Sequence, residues 1–342
     1  MPKFIDSFDL PLPVKRAIEW QSKSHKTDAD ITCTSLIDSP LVFWLRKRYS
    51  EEISVEYADK LWMLYGSMMH LILEAFGEQS PADDIDFNKL IKEHSEAKVS
   101  TTILGWKVEA RFDYMLEGDR LVDYKFSSCW STADGVKPEW ERQLNVGLWL
   151  MRHDSDPAMR EIGKKIKKLA ICALFRDWTP RSADKFPSEI TLLNVDVWDD
   201  AKAEEYITER VRLHQEASKC IDKAPAICSD GERWMSDFAV MSKKNPSRAM
   251  KAKIATREEA ERIMKEIGGD YVREAAPRRC QRTEIMSFPP RSRCYCEFGN
   301  QGFCPWWDAK TQTTRDAPVM PSESVLLDPD HHRKDVDATS NM

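Results

Sequence analysis

One stretch constrains this chain more than any other: residues 99 to 128, VSTTILGWKVEARFDYMLEGDRLVDYKFSS. Apolar and polar residues roughly alternate from Trp106 to Leu116 and again from Leu121 to Phe126, and Glu117, Gly118 and Asp119 supply a turn between them. This is the pattern of strands joined in a hairpin, and with a leading strand the stretch reads as three strands, the last two paired. Side chains alternate faces along a strand. Asp123 and Lys125 therefore share one face, while Val122, Tyr124 and Phe126 point to the other, which is expected to be the core. A three-residue loop, 117–119, would set Asp113 directly opposite Asp123, with about 5 Å between Cβ atoms. A two-residue loop would break this register and set Asp113 opposite a core-facing residue.

Opposed like charges destabilise a sheet unless something positive lies between them. Asp113, Asp123 and Lys125 form an acid, acid-x-Lys set. In such sets carboxylates hold Mg²⁺ or Mn²⁺ and a lysine positions or activates water for in-line attack on a phosphodiester. On the hairpin alone the alternative is ordinary surface charge, since D-x-K is a common tripeptide. The flanking segments add to the set. From Glu56 to Phe76, Leu61, Leu64, Met68, Ile72 and Phe76 fall at helical spacing. His70 and Glu74 share a face of that helix, and Gly66 one turn earlier is expected to allow close approach of a neighbour. A second helix, Pro138 to Arg152, carries Gln143 in its first half.

The order G-x3-H-x3-E on a helix (Gly66, His70, Glu74), a strand acid in RFDYM (Asp113), LVDYK (Asp123, Lys125) and a following helix with Gln143 resembles the RecB-like branch of the PD-(D/E)xK nucleases. The resemblance covers about residues 31 to 155 and, more weakly, 234 to 307. It implies that His70, Asp113 and Asp123 ligate the metal, Mg²⁺ or Mn²⁺, with the backbone carbonyl of Tyr124 as a further ligand. It implies that Lys125 is the catalytic lysine, that Gln143 orients Lys125 or a DNA phosphate, and that Glu74 supports the site from behind. Family members often carry Tyr four residues after the Gln; here that position is Gly147.

The expected fold is α/β, a restriction-endonuclease-like core with a mixed central sheet flanked by helices and a C-terminal cysteine-containing extension. LAICALF (169–175) and ITLLNVDVW (190–198) read as further strands of that sheet, and 199–224 as an amphipathic helix ending near Pro225. In ITCTSLIDSPLVFWLRKRY, Thr34 or Ser35 is the expected N-cap and Pro40 a helix start. Residues 1–30 read as an N-terminal extension, 31–228 as the nuclease core, 229–307 as a basic DNA-facing element with a cysteine cluster, and 308–342 as a disordered tail.

A length of 342 residues with 42% hydrophobic content allows one to three domains. No apolar run approaches a membrane span, and MPKFIDSFDLPLP lacks a signal-peptide pattern, so a cytoplasmic location is expected. Nine cysteines, an odd number, then argue for reduced thiols or a metal site. Cys280, Cys294, Cys296 and Cys304 fall within 25 residues and suit either Zn²⁺ or a [4Fe-4S] cluster. Cys129, Cys172, Cys220 and Cys228 read as ordinary thiols. The net charge of −6 speaks against a passive nucleic-acid coat, but residues 243–304 hold 14 Lys and Arg against 8 Asp and Glu. Lys243, Lys244, Arg248 and Lys251 are candidate DNA contacts in an expected basic loop, followed by a helix from Thr256 ending at Gly268 and Gly269. Tyr295, Phe303, Trp306 and Trp307 would stack on bases or cover the cysteine site.

The expected function is a metal-dependent deoxyribonuclease, an exonuclease on single-stranded ends in phage or bacterial recombination, repair or replication, working with recombination or replication proteins and no membrane. The alternatives are a non-catalytic DNA-binding or assembly factor that keeps the fold, and a structure-specific endonuclease.

Overall fold

The apolar run LAICALF lies in a strand whose first half is buried on both faces. The computed structural model describes residues 2–24, 27–77, 97–112, 115–117, 119–133, 135–221, 224–226, 228–229, 231–233, 238–254, 257–274, 282–285, 291–294, 296–299 and 301–305. It divides the chain into two units, 1–226 and 227–342.

The first unit is mixed α/β. Its elements are β1 (Lys3–Ile5), α1 (Leu12–Ser24), β2 (Ile31–Thr32), α2 (Cys33–Ile37), α3 (Pro40–Tyr49), β3 (Ser54–Glu56), α4 (Leu61–Gly77), β4 (Ala97–Ile103), β5 (Trp106–Phe112), β6 (Met115–Glu117), β7 (Arg120–Ser127), α5 (Pro138–Arg152), α6 (Pro157–Lys165), β8 (Lys168–Phe175), β9 (Ile190–Val195) and α7 (Asp200–Ser218). Among the described residues the strands form several small sheets rather than one continuous central sheet. One has the order β6-β7-β8-β9, another β2-β5-β4, and β1 pairs with β3. In the four-stranded sheet β7 runs parallel to β8, while β6 and β9 run antiparallel to their neighbours. A parallel pair needs a long crossover, and α5 and α6 supply it.

Two expectations for the hairpin are corrected. The pairs Met115↔Val122, Leu116↔Leu121 and Glu117↔Arg120 leave a loop of two residues, Gly118 and Asp119, where three were expected. Gly-Asp suits a two-residue turn, and the Asp119 carbonyl is pinned by the amides of Lys167 and Lys168 at 2.8 and 3.1 Å. The register that would oppose Asp113 to Asp123 is therefore absent from β6–β7, and Asp113 itself lies outside the described residues. The second correction concerns faces. Leu121, which shares the face of Asp123 and Lys125, packs into the main core with Leu169, Ile171 and Ala173 of β8 and Leu144 and Leu148 of α5. Pairing sets Asp123 opposite Ile171 and Lys125 opposite Ala173, so the two charges extend a core row. Val122, on the other face, is buried as well. With both faces covered, alternation of polarity marks the site and not the solvent.

Local chemistry explains the helix starts. Thr32, not Thr34 or Ser35, caps α2 by accepting from Ser35 N. Ser39 caps α3, with Pro40 in its first turn and Arg46, Lys47 and Arg48 in its last, each favourable to the helix dipole. α5 starts on Pro138 with Glu139 and Glu141 in its first turn. α7 is capped by Asp199 and ends at Ser218, short of the expected Pro225. No helix is long and apolar enough to cross a membrane among the described residues.

In the second unit β10 (Phe238–Ser242), β11 (Asn245–Ile254), α8 (Arg257–Ile267) and β12 (Tyr271–Glu274) are followed by the hairpin β13 (Arg282–Ile285) and β14 (Arg291–Cys294). The sheet order is β11-β10-β12. The segment expected as a basic loop is largely strand β11, paired with β10 through an irregular register; those irregularities break the alternation that would announce a strand. Gly268, with φ +69°, follows the last residue of α8, and Gly269 N donates to Met264 O at 2.9 Å, a glycine C-terminal motif. Thr256 and the tail 308–342 lie outside the described residues.

Candidate active site

Two residues apart on β7, Asp123 and Lys125 stand side by side, with Lys125 Nζ 2.7 Å from Asp123 Oδ2. Gln143 reaches the same ammonium from α5, where Lys125 Nζ donates to Gln143 Oε1 at 3.0 Å. Its neighbour Leu144 is part of the main core together with Trp140 and Leu148, so core packing of α5 carries Gln143 to the strand. A lysine ammonium has three donors; here the Gln143 amide oxygen takes one of them, with the Asp123 charge beside it.

Burial makes this contact consequential. Asp123 is 7% exposed, and Lys125 is half-buried. Asp123 Oδ2 accepts no aligned hydrogen bond, although the ammonium lies at 2.7 Å: the pair attracts by charge without meeting hydrogen-bond geometry. A buried carboxylate oxygen in that state needs a cation or a donor to complete it. Cys33, at the start of α2, adjoins the same group and donates from Sγ to the Gln143 carbonyl at 3.7 Å. Burial pushes the Cys33 thiol up to about 12, with the Lys125 charge opposing the shift and Asp123 adding to it.

The remaining predicted residues are placed less completely. His70 is half-buried on α4, and α4 packs against β7. Glu74 follows in the same helix, but its side chain lies outside the described residues, as does the whole of Asp113. Tyr124 is half-buried and sits opposite Cys172 of β8. Among the described residues no three His, Cys, Asp or Glu side chains gather as a metal-holding group. The structure thus joins Asp123, Lys125 and Gln143. Gly66 is also corrected: among the described residues a Cβ there would meet no atom within 4 Å, so no close approach there requires that glycine.

In the second unit Lys243 and Lys244 are exposed at the β10–β11 turn, and Lys251 is exposed on β11; the Arg248 side chain is outside the described residues. Asp270 braces the turn, accepting from Lys243 N at 2.7 Å and lying 3.0 Å from Ser242 Oγ. These hydrogen bonds, that of the Lys243 amide foremost, hold its carboxyl below the usual range. Cys296 is buried and Cys304 half-buried. Cys294 ends β14 opposite Arg282, with its side chain outside the described residues, as is all of Cys280. Phe303 is half-buried, and Tyr295, Trp306 and Trp307 lie outside.

One residue next to the site had no signal in the sequence. Asp177 accepts from Ser128 Oγ at 2.6 Å and from Cys129 N at 2.8 Å, locking the chain where it leaves β7. Burial raises its pKa, but these hydrogen bonds outweigh that and hold the carboxyl low. Only the parallel β7–β8 pairing brings residues 128 and 177 together, and no local pattern could announce it.

No family profile matches the chain, and comparison with curated proteins gives no match. Among solved structures the protein is distantly similar to SSO0001, at 15% identity and a TM-score of 0.34, over 58% of this chain and 84% of that one. It is also distantly similar to LHK-Exo, an alkaline exonuclease from Laribacter hongkongensis, at 13% identity and a TM-score of 0.28, over 54% of this chain and 87% of that one. The complex of LHK-Exo with dAMP gives 15% identity and a TM-score of 0.28, over 54% and 88%.

Proposed function

We propose that the protein is a metal-dependent deoxyribonuclease with a restriction-endonuclease-like core of the RecB-like PD-(D/E)xK type. In this reading it is an exonuclease on single-stranded ends that serves recombination, repair or replication beside the proteins of those processes. The observation that supports this reading most is the contact of Lys125 with both Asp123 and Gln143. A solvent-exposed hairpin has no reason to bury an acid and then aim a lysine with an amide from a distant helix.

The donor set fits a hard cation in part: the buried Asp123 Oδ2 lacks an aligned donor, and hard divalent ions take carboxylate oxygen. Asp123, Asp113, His70 and the Tyr124 carbonyl would hold Mg²⁺ or Mn²⁺, which would supply Lewis-acid charge at the scissile phosphate. Lys125 then acts as a fixed positive donor. It orients the attacking water or stabilises charge developing on a phosphoryl oxygen, in a partly dehydrated setting where such charge counts for more than in water. Gln143 keeps the ammonium on that line, so no reorganisation is needed at the moment of reaction. The exposed Lys243, Lys244 and Lys251 would hold the phosphate backbone.

The test is degradation of end-labelled linear single-stranded DNA by the purified chain with Mn²⁺, with Mg²⁺ and with EDTA, beside Asp123→Ala and Lys125→Ala. Cation-dependent loss of label that both substitutions abolish, with DNA binding retained, is the expected result. Undiminished cleavage in both variants would end the assignment, and DNA retarded on a gel but never cut would favour the binding-factor reading.

A further inference from the structure

Beyond the C-terminal ends of β7 and β8 lies a surface that the catalytic reading does not use. The chain leaves β7 at Ser127 and enters a short 3-10 turn, Cys129–Thr132, that presents Trp130. A tryptophan ring is rarely left in water, yet Trp130 is 62% exposed. Phe186 packs perpendicular to it, centroids 5.3 Å apart at 84°, and Lys185 Nζ lies 5.2 Å over the ring. Phe186 is itself buried, and its carbonyl accepts from Trp178 Nε1 at 2.7 Å. The ring is therefore braced by Phe186 and Lys185 while most of its surface stays open to solvent.

A second ring repeats the arrangement. Trp62, in the first turn of α4, is 44% exposed, and the Arg176 guanidinium lies 4.4 Å over it. The two pairs are tied together through adjacent residues. Arg176 N donates to Ser127 O at 3.0 Å, and its neighbour Asp177 clamps Ser128 and Cys129. Among the described residues neither Arg176 nor Lys185 has a carboxylate partner, so both charges remain available to an anion.

We propose that Trp130 and Trp62, with Lys185 and Arg176, form a stacking platform for an unpaired nucleic-acid strand leading to Lys125. The proposal rests on the nuclease reading for its substrate. An exposed ring beside a cation suits a nucleotide, whose base offers a flat face and whose phosphate offers the charge. In a duplex the base faces are already stacked on one another, so only an unpaired strand presents them. Reach agrees: five residues separate Lys125 from Trp130, a span of at most about 18 Å, or about five steps of a stacked strand. Trp62 precedes His70 by eight helical residues, about 12 Å along α4.

The test uses the full chain in EDTA. Binding of a labelled oligothymidylate of about 20 nucleotides is compared with a blunt duplex of the same length, for the unsubstituted protein, Trp130→Ala, Trp62→Ala and Trp130→Phe. Each alanine variant is expected to bind the single strand roughly 5- to 100-fold more weakly, with duplex affinity changed less than about twofold and Trp130→Phe retaining most of the affinity. Circular dichroism melts check that the variants are folded, and Trp62→Ala, in a different element, stands in should Trp130→Ala fail to fold. Unchanged single-strand affinity in both alanine variants overturns the platform, as does an equal loss for duplex. A change in sedimentation without a change in oligonucleotide binding also overturns it, by making the surface a protein contact. Cleavage assays on the same proteins with Mn²⁺ separate the two readings. A protein that cuts DNA but ignores both substitutions loses the platform alone; one that never cuts, yet loses strand binding with the tryptophans, loses the nuclease reading alone.

Discussion

At the scale of single residues, the acid and the lysine depend on each other. Their side chains are 9% and 19% exposed, and removing one partner of a buried ion pair leaves an uncompensated charge. Lys125→Met in EDTA should therefore destabilise the fold by about 2–4 kcal/mol, below the full buried-pair cost because the lysine keeps some solvent. The Asp123→Asn, Lys125→Met double variant should recover more than half of that loss. Urea unfolding measures both, and a single-variant cost under about 0.5 kcal/mol would show that Asp123 is solvated after all. Cys33 gives an independent check on the same burial. A thiol pushed up to about 12 is thiolate to roughly one part in ten thousand at pH 8, so Cys33 should stay unalkylated by iodoacetamide in the native protein and react after unfolding. Rapid native labelling, read by mass spectrometry, would contradict the placement. The pairing of Asp123 with Lys125 was legible because a spacing of two along a strand sets a shared face whatever the tertiary structure. The neighbourhood of Cys33 was not, because it comes from α2 and α5 packing across 110 residues of chain.

At the scale of elements, legibility followed length and context. β8, a sustained apolar run, and α5, opened by proline and periodic to its end, are plain in the sequence. The short β1–β3 pair and α6 are not, because three-residue strands and a nine-residue helix hold too few positions for a period to show. The hairpin register failed for a different reason: a one-residue change in the loop inverts the pairing of faces, and loop length is set by contacts of Asp119 with the start of β8. Two glycines show how differently helices treat the same residue. In α6, a Cβ on Gly163 would lie 2.9 Å from the backbone nitrogen of Arg152 in α5. The Arg152 guanidinium also ties the helices by donating to the carbonyls of Gly163 and Ile166, both at 3.3 Å. Backbone cannot move aside cheaply, so Gly163→Ala should cost about 1–2 kcal/mol even after its gain in helix propensity. Gly66→Ala on α4 meets open space and should stabilise by about 0.5–1 kcal/mol. Opposite shifts in urea midpoint are the expected outcome; shifts of one sign would mean that the α5–α6 contact is looser than its geometry.

For the whole molecule, the balance of charge decides how a polyanion is held. The chain carries −6 overall while residues 243–304 carry +6, so the remainder carries −12, the difference of those two values. Repulsion from that remainder is screened beyond about 10 Å at moderate salt, whereas ammonium groups in contact with phosphate release counterions and impose a steep salt dependence. Lys243 and Lys244 are placed for such contact: both are exposed, and the turn that carries them is braced by Asp270 through backbone and hydroxyl groups. Charge clustering was readable from the sequence alone, but the brace was not, because Asp270 approaches the turn only through the β10–β12 pairing. A Lys243→Gln, Lys244→Gln variant keeps every one of those brace hydrogen bonds, so its melting temperature should not change. Its effect should fall on the salt dependence of single-strand binding, where the slope of log K against log salt should flatten by about 1.4, near 0.7 for each phosphate no longer neutralised. If affinity drops without any change of slope, the lysines act through the shape of the turn; if neither changes, the backbone of the strand is held elsewhere and the basic segment is a solvated surface.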